Sequence, residues 1–348
     1  MDYLEGKFGA LPVFNNEDKD NVRFKLFFPN ITDPNIKSIQ VAGSFQNQID
    51  NNQNWDFENG LYLESTTDSE GTIWGLTVDQ KLDADFYEYK YYVTFNDSNE
   101  KPRKVSDPFA RYGGRDNENA GFVIGGSNPK ANTKAIETLK NGRKHLRDLI
   151  IYELMIDDFT DEFRIPDEFK DSKAPIEAVI DKLDYLKDLG INAILFMPWT
   201  AWQGNKFNWG YDPYMYFSVE YRYVNNLKTP SEKISYLKNL ISECHKRDIH
   251  VIMDGVFNHV SPSFPYRDFY QDRNQCPYTG NFGGTFSGLQ DLNFNNNCTN
   301  EFIRDVCLYW IKNFKIDGIR FDNSVNYYIK GDKRGLPELL EAIQNYVD

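Results

Sequence analysis

The sequence predicts two architectures in series: an antiparallel β-sandwich or barrel, then a parallel α/β sheet. Two observations carry this. From residue 20 to 126, short β-branched and aromatic runs are separated by turn clusters, the signature of an all-β unit. After about residue 147 the apolar runs lose their alternation and each is followed by a helical pattern, as expected of strands buried on both faces. A length of 348 residues leaves room for two domains or one large one.

The β runs are "VRFKLFFP", "IKSIQVAGSF", "GLYLEST", "TIWGLTV" and "FYEYKYYVTF", with "NITDPN", "NQIDNNQN" and "NDSNEKP" among the turns between them. The small, polar stretch "GGSNPKANTKAIETLKNG" (125–142) reads as a boundary. The expected division is 1–126 for the β unit, 127–146 for a connector and 147–348 for the α/β unit. In the latter, "DLIIYELMI" is a buried strand. "APIEAVIDKLDYLKDLG" follows as one helix, with Gly190 just past its end as C-cap. "INAILFMP" is the second strand, and "SEKISYLKNLISECHKRD" a helix opened by Ser231 as N-cap. "IHVIMDG", "NEFIRDVCLYWIKNF", "IDGIRFD" and "LPELLEAIQNYV" continue as strand, helix, strand and helix. That makes four βα units, with long loops after strands two and three. A small open α/β sheet and part of a (β/α)₈ barrel both fit; in the barrel, loops at strand C-termini build the active site.

Composition narrows the function. A net charge of −13 argues against nucleic acid and anionic membrane, which call for basic patches. No run of 18 apolar residues spans a bilayer. The start "MDYLEGKFGA" lacks a charged-then-apolar signal, which favours the cytoplasm and leaves export open. Aromatic residues make up 16%, suited to core and carbohydrate-stacking surfaces alike. Four cysteines are too few and too scattered for a disulfide scaffold or a zinc site. Cys244 and Cys307 fall in helical patterns as buried thiols, whereas Cys276 and Cys298 flank one loop and could pair in an exported protein. Oligomeric state leaves no mark in the sequence.

Three strand ends carry polar residues on apolar stems: strand two leads to "FNWGYDP" (207–213), strand three ends in "MDGVFNHV" (253–260) and strand four in "GIRFD" (318–322). Singly, His259 fits a satisfied structural histidine and Arg320 an ion-pair partner. Together they sit on one rim of a parallel sheet. In "RFD" the arginine and aspartate point the same way along a strand, so Arg320 can hold Asp322 ionised. Such a carboxylate suits nucleophilic attack or metal binding, though no Glu or His cluster of metal-ligand spacing accompanies it.

Taken in order, these segments resemble the α-amylase superfamily of glycoside hydrolases. "GINAILFMP" (190–198), "DGVFNH" (254–259), "QDLNF" (290–294) and "GIRFD" (318–322) resemble its strand and loop motifs, and "NWGYDP" (208–213) is similar to the loop that supplies a stacking tyrosine. Upstream, "VAGSFQNQIDNNQNW" (41–55), "FYEYKYYV" (86–93) and "DPFARYGG" (107–114) resemble the starch-binding-type sandwich that precedes the barrel in debranching and branching enzymes. The resemblance implies a β-sandwich followed by the first four units of a (β/α)₈ barrel, acting on starch- or glycogen-like α-glucan oligosaccharide or polysaccharide. It makes Asp322 the nucleophile and Arg320 its ionising partner. Tyr211 stacks on the sugar, flanked by Trp209 and Asp212; His259 bonds a sugar hydroxyl; Asp254 orients Arg320. Trp55 and Trp74 are the implied sugar-stacking residues of the sandwich. No cofactor is required, and Asn258 matches a calcium ligand of many relatives.

Two departures stand out. The Lys-His pair that often follows the nucleophile is replaced by "NSVNYY" (323–328). The glutamate acid/base, which the family places at the end of strand five, has no match. The sequence therefore reads as the first half of a longer retaining hydrolase, or a transglycosylase of the same mechanism. A non-catalytic glycan-binding protein and an unrelated metal enzyme using Asp254 and Asp322 are the alternatives.

Overall fold

The computed structural model of the chain describes residues 6–15, 18–49, 53–113, 119–124, 135–160, 174–203, 209–223, 233–282, 288–324, 327, 329 and 335–347. The first ten strands are β1 (Gly9–Asn15), β2 (Asp18–Pro29), β3 (Ile36–Gly43), β4 (Leu61–Tyr62), β5 (Glu64–Thr67), β6 (Gly71–Val78), β7 (Phe86–Phe95), β8 (Arg103–Val105), β9 (Tyr112–Gly113) and β10 (Ala120–Val123). They form two antiparallel sheets, ordered β1-β2-β6-β5 and β4-β3-β7-β10-β9, with β8 on β7. β7 alternates along its whole length, burying Tyr87, Tyr89, Tyr91, Val93 and Phe95. β2 buries Val22, Phe24, Leu26 and Phe28. The two faces meet where the Phe24 ring lies edge-on to Tyr89, 5.0 Å between centroids.

The second half holds a four-stranded parallel sheet ordered β11 (Ile151–Leu154), β12 (Ala193–Phe196), β15 (His250–Gly255) and β19 (Gly318–Phe321). Helices α1 (Ile156–Thr160), α2 (Pro175–Asp181), α3 (Leu183–Asp188), α4 (Lys233–Lys246), α5 (Pro265–Asp268), α6 (Asn297–Phe314) and α7 (Gly335–Val347) accompany it. The helix expected over 174–190 is in fact two. At Lys182 the backbone turns to φ −102°, ψ −1°, and the Lys182 ammonium reaches across to the Phe159 carbonyl at 2.9 Å, tying this bend to α1. Gly190 terminates α3 at φ +91°, where the Ile191 amide donates back to Leu186 O. Ser231, the expected cap of α4, lies outside the described residues. The long loops carry strands that sequence periodicity had not marked: a hairpin of β13 (Thr200–Trp202) and β14 (Pro213–Val219), and a small sheet of β16 (His259–Val260), β17 (Thr279–Gly280) and β18 (Gln290–Leu292).

The two halves share one hydrophobic core. Asp107 of the "DPFARYGG" segment is fully buried, accepting from Tyr89 and Tyr91 hydroxyls and from the Phe109 amide. That turn projects Phe109 onto Tyr266 and Phe302 of the second half. All four cysteines are buried free thiols; burial pushes Cys276 and Cys298 up to about 12. Among the described residues no helix is long and apolar enough to cross a membrane.

Candidate functional site

The parallel strands end on one rim, and their register decides what meets there. Asp254 of β15 lies directly opposite Arg320 of β19. Arg320 Nη1 donates to both Asp254 oxygens, at 2.8 and 2.9 Å, and to Asp322 Oδ1 at 2.6 Å. Asp322 is two residues along the same strand, so its side chain emerges on the same face. Its own amide donates to Gly255 O, extending the ladder by one residue and fixing the carboxylate at the rim.

Asp254 is fully buried. Burial pushes its carboxyl up, while hydrogen bonds from Arg320 and from the Tyr211 hydroxyl (2.7 Å) oppose that. Burial and the bond to Asp254 drive the Tyr211 phenol well above its ordinary range. Burial works against the Arg320 charge, but Asp254 and Asp322 more than offset it and hold the guanidinium protonated. One cation thus joins a buried carboxylate that anchors it to a nearly buried one that faces the cavity.

Asn258 donates from Nδ2 to both the carbonyl and the carboxylate of Asp322, and its Oδ1 faces His259 Nδ1. With both ends of its amide engaged inside the protein, Asn258 presents a positioning contact. Among the described residues no group of three or more His, Cys, Asp or Glu stands together for a metal. His259 is buried, and burial pushes its pKa down. Its Nε2 donates to the Tyr211 carbonyl at 2.7 Å, so both ring nitrogens point into the protein and the ring holds Tyr211 from behind.

The cavity above this cluster has a volume of about 840 Å³. Tyr211, Asp212, His259, Asp322 and the 60% exposed Trp209 line it. Tyr152, Glu153, Met155, Asp158 and Phe159, from β11, α1 and the residue between them, also line it and were not anticipated. The rule applied to the other three strand ends would have found them, because "MIDDF" follows directly on the first strand. Asp157 of α1 is buried; burial, reinforced by repulsion from Glu220, pushes it up to about 7.

The two tryptophans expected on the sandwich separate. Trp74 is paired across β2–β6 with the buried Leu26 and packs, partly buried, against the core. Trp55 is half-buried in the loop after β3, its ring 6.1 Å from Phe57.

The alpha-amylase catalytic-domain family matches residues 163–345. Pullulanase A of Streptococcus pneumoniae is 32% identical over 202 residues, covering 51% of this chain and 16% of that protein. A malto-oligosyltrehalose trehalohydrolase of Saccharolobus solfataricus is 29% identical over 291 residues, covering 82% of this chain and 44% of that one. The catalytic module of the multi-modular glycogen-degrading pneumococcal virulence factor SpuA superposes with a TM-score of 0.72 at 25% identity, over 98% of this chain and 49% of that structure. The chain thus spans less than half the length of each of these relatives.

Proposed function

Since the chain belongs to the alpha-amylase family, we propose that it carries the nucleophile half of an α-glucan-active glycoside hydrolase acting with retention. In this reading the open parallel sheet is the first half of a (β/α)₈ barrel, preceded by a β-sandwich. Asp322 attacks the anomeric carbon and the bond to the leaving oxygen breaks. In this reading that oxygen takes a proton from a carboxylic acid on a fifth parallel strand, which is not among the described residues, and water later releases the sugar. Arg320 aims Asp322 through their ion pair, and Asp254 keeps Arg320 in place. The Tyr211 ring offers a face to the sugar and is held by its bonds to Asp254 and His259, while Asn258 steadies Asp322. Trp209 and Asp212 extend the binding surface at the rim. The observation that carries the reading is the single guanidinium gripping Asp254 and Asp322 at the C-terminal ends of adjacent parallel strands.

The test is to assay the purified chain on starch and on an α-glucosyl fluoride, following covalent adducts by mass spectrometry. General-acid help is worth roughly 10²–10⁴-fold. Starch should therefore stay intact. Fluoride departs with its electron pair and needs no proton, so a slow adduct should form on Asp322 and vanish in Asp322→Asn. An adduct that survives that substitution sinks the assignment. Brisk starch hydrolysis by the monomer, abolished in Asp322→Asn, would instead show that the acid lies within the chain.

A further inference from the structure

On the outer face of the β1-β2-β6-β5 sheet lies a second concavity, a groove of about 440 Å³. Its floor is Gly75, in the middle of β6, with Ile73 beside it. Across the sheet Gly75 is paired with Lys25 on one side and Glu64 on the other, so a cation and an anion stand at either edge of a position without a side chain. Arg23 closes one end, its Nε donating to Thr77 Oγ1 at 3.2 Å. Tyr62 forms the wall where the chain crosses from β4 to β5, and it is 62% exposed.

Gly75 is the informative residue. Glycine inside a strand weakens it and marks either crowding or a ligand's close approach. Crowding explains Gly43, Gly71 and Gly121, where an added Cβ would come within 2.2, 2.2 and 2.4 Å of other atoms. At Gly75 it would meet only Phe24 O at 3.6 Å, an ordinary contact, and the backbone is not in the left-handed region. Gly318 is comparably open, but it lies on the inner face of the parallel sheet. Neither sterics nor backbone geometry therefore asks for glycine at 75; what it does is keep the groove open.

We infer that this groove is a second glycan-binding site, taking an α-linked gluco-oligosaccharide with a pyranose ring on Tyr62 and its hydroxyls between Arg23, Lys25 and Glu64. An exposed aromatic wall, an apolar floor and paired donors and acceptors are the chemistry of a neutral polyol. The choice of an α-glucan rests on the function proposed above; the groove itself does not. Its floor lies on the opposite face of β6 from Trp74, and Trp55 is not among the residues that line it.

Hydrogen exchange of the 348-residue chain with and without maltoheptaose tests it. Amides in 61–78 should gain protection, separately from any gain at the catalytic rim. Gly75→Val should remove protection in 61–78 and leave the rim unchanged, with at least a tenfold loss of affinity at the groove. Should Gly75→Val fail to fold, Tyr62→Ala must give the same loss. Protection confined to the rim overturns the groove and spares the catalytic reading. Protection confined to 61–78 does the reverse. Undiminished protection of 61–78 in both variants also overturns the site as drawn.

Discussion

The two ends of strand β19 carry the same residue type in opposite circumstances. At its N-terminal end, Asp317 accepts from the His245 ring (2.9 Å), the Val251 amide (2.9 Å) and Arg143 (3.3 Å), with its side chain only 6% exposed. Every one of these groups comes from the protein, and they close a strap. The segment before β11 is held against the sheet by Glu137 O on His245 Nδ1, by Asn141 on Asp248, and by the Lys144 amide on His250 Nε2. At the C-terminal end, Asp322 has Arg320 and Asn258 behind it and a cavity in front. The difference teaches that a charge satisfied on all sides stabilises a fold, whereas one held from behind is available for chemistry.

The same substitution at the two ends should break this symmetry. Asp317→Asn leaves the buried His245 without its counter-charge, and removing one member of a buried pair costs about 3–5 kcal/mol; urea unfolding should show a loss of that size. Arg320→Met uncovers the fully buried Asp254 carboxylate. Because Arg320 is itself 43% exposed, about 2–3 kcal/mol is expected in the same assay.

His245 supplies a pH test. Its Nδ1 faces the Glu137 carbonyl and its Nε2 the Asp317 carboxylate. Burial opposes a charge on the ring, but the bond to Asp317 and its negative charge prevail and raise the pKa. A raised folded pKa stabilises fully below the unfolded value of about 6.5 and is lost as pH climbs through the folded value. Asp317 is shifted the other way overall, down, despite its burial, by His245 and Val251. Its contribution fades only in acid, as pH falls through the folded value. The stability gap between wild type and His245→Gln, measured by thermal unfolding, should therefore be widest near pH 5–6 and narrow towards pH 9. A gap that widens towards pH 9 contradicts the strap. At the rim, Asp322→Asn should change stability by less than about 1 kcal/mol, since it also relieves repulsion on Asp254. Smallest of all, Arg143→Ala should cost about 0.5 kcal/mol, because that side chain is 57% exposed.

Much of this was legible because the parallel strands announce themselves as apolar runs without alternation, and because "RFD" can present its two charges only on one face. Asp254, Tyr211 and Asp322 follow from that. The bend at Lys182 was hidden, since its cause is a carbonyl in α1, 23 positions away. β14 was hidden for another reason: all seven of its residues are buried, so "PYMYFSV" shows no period to read. The face of Trp74 was hidden because "TIWGLTV" alternates only in part, and register against Leu26, rather than residue type, decides which way the indole turns. The hydrogen bonds of Asn258 to Asp322 and its contact with His259 were hidden as well, because no motif states which way an amide faces.

The shared core has a consequence in time. Phe28 packs on Tyr266, Phe269 and Tyr270, and Phe109 on Phe302. During synthesis, at roughly 5–20 residues per second, these early rings wait on the order of ten seconds or more before the residues that cover them leave the ribosome. The N-terminal sheets can pair by then, but one of their apolar surfaces stays wet until α6 has been made. Nascent chains stalled before α6 should accordingly be the ones that a chaperone holds.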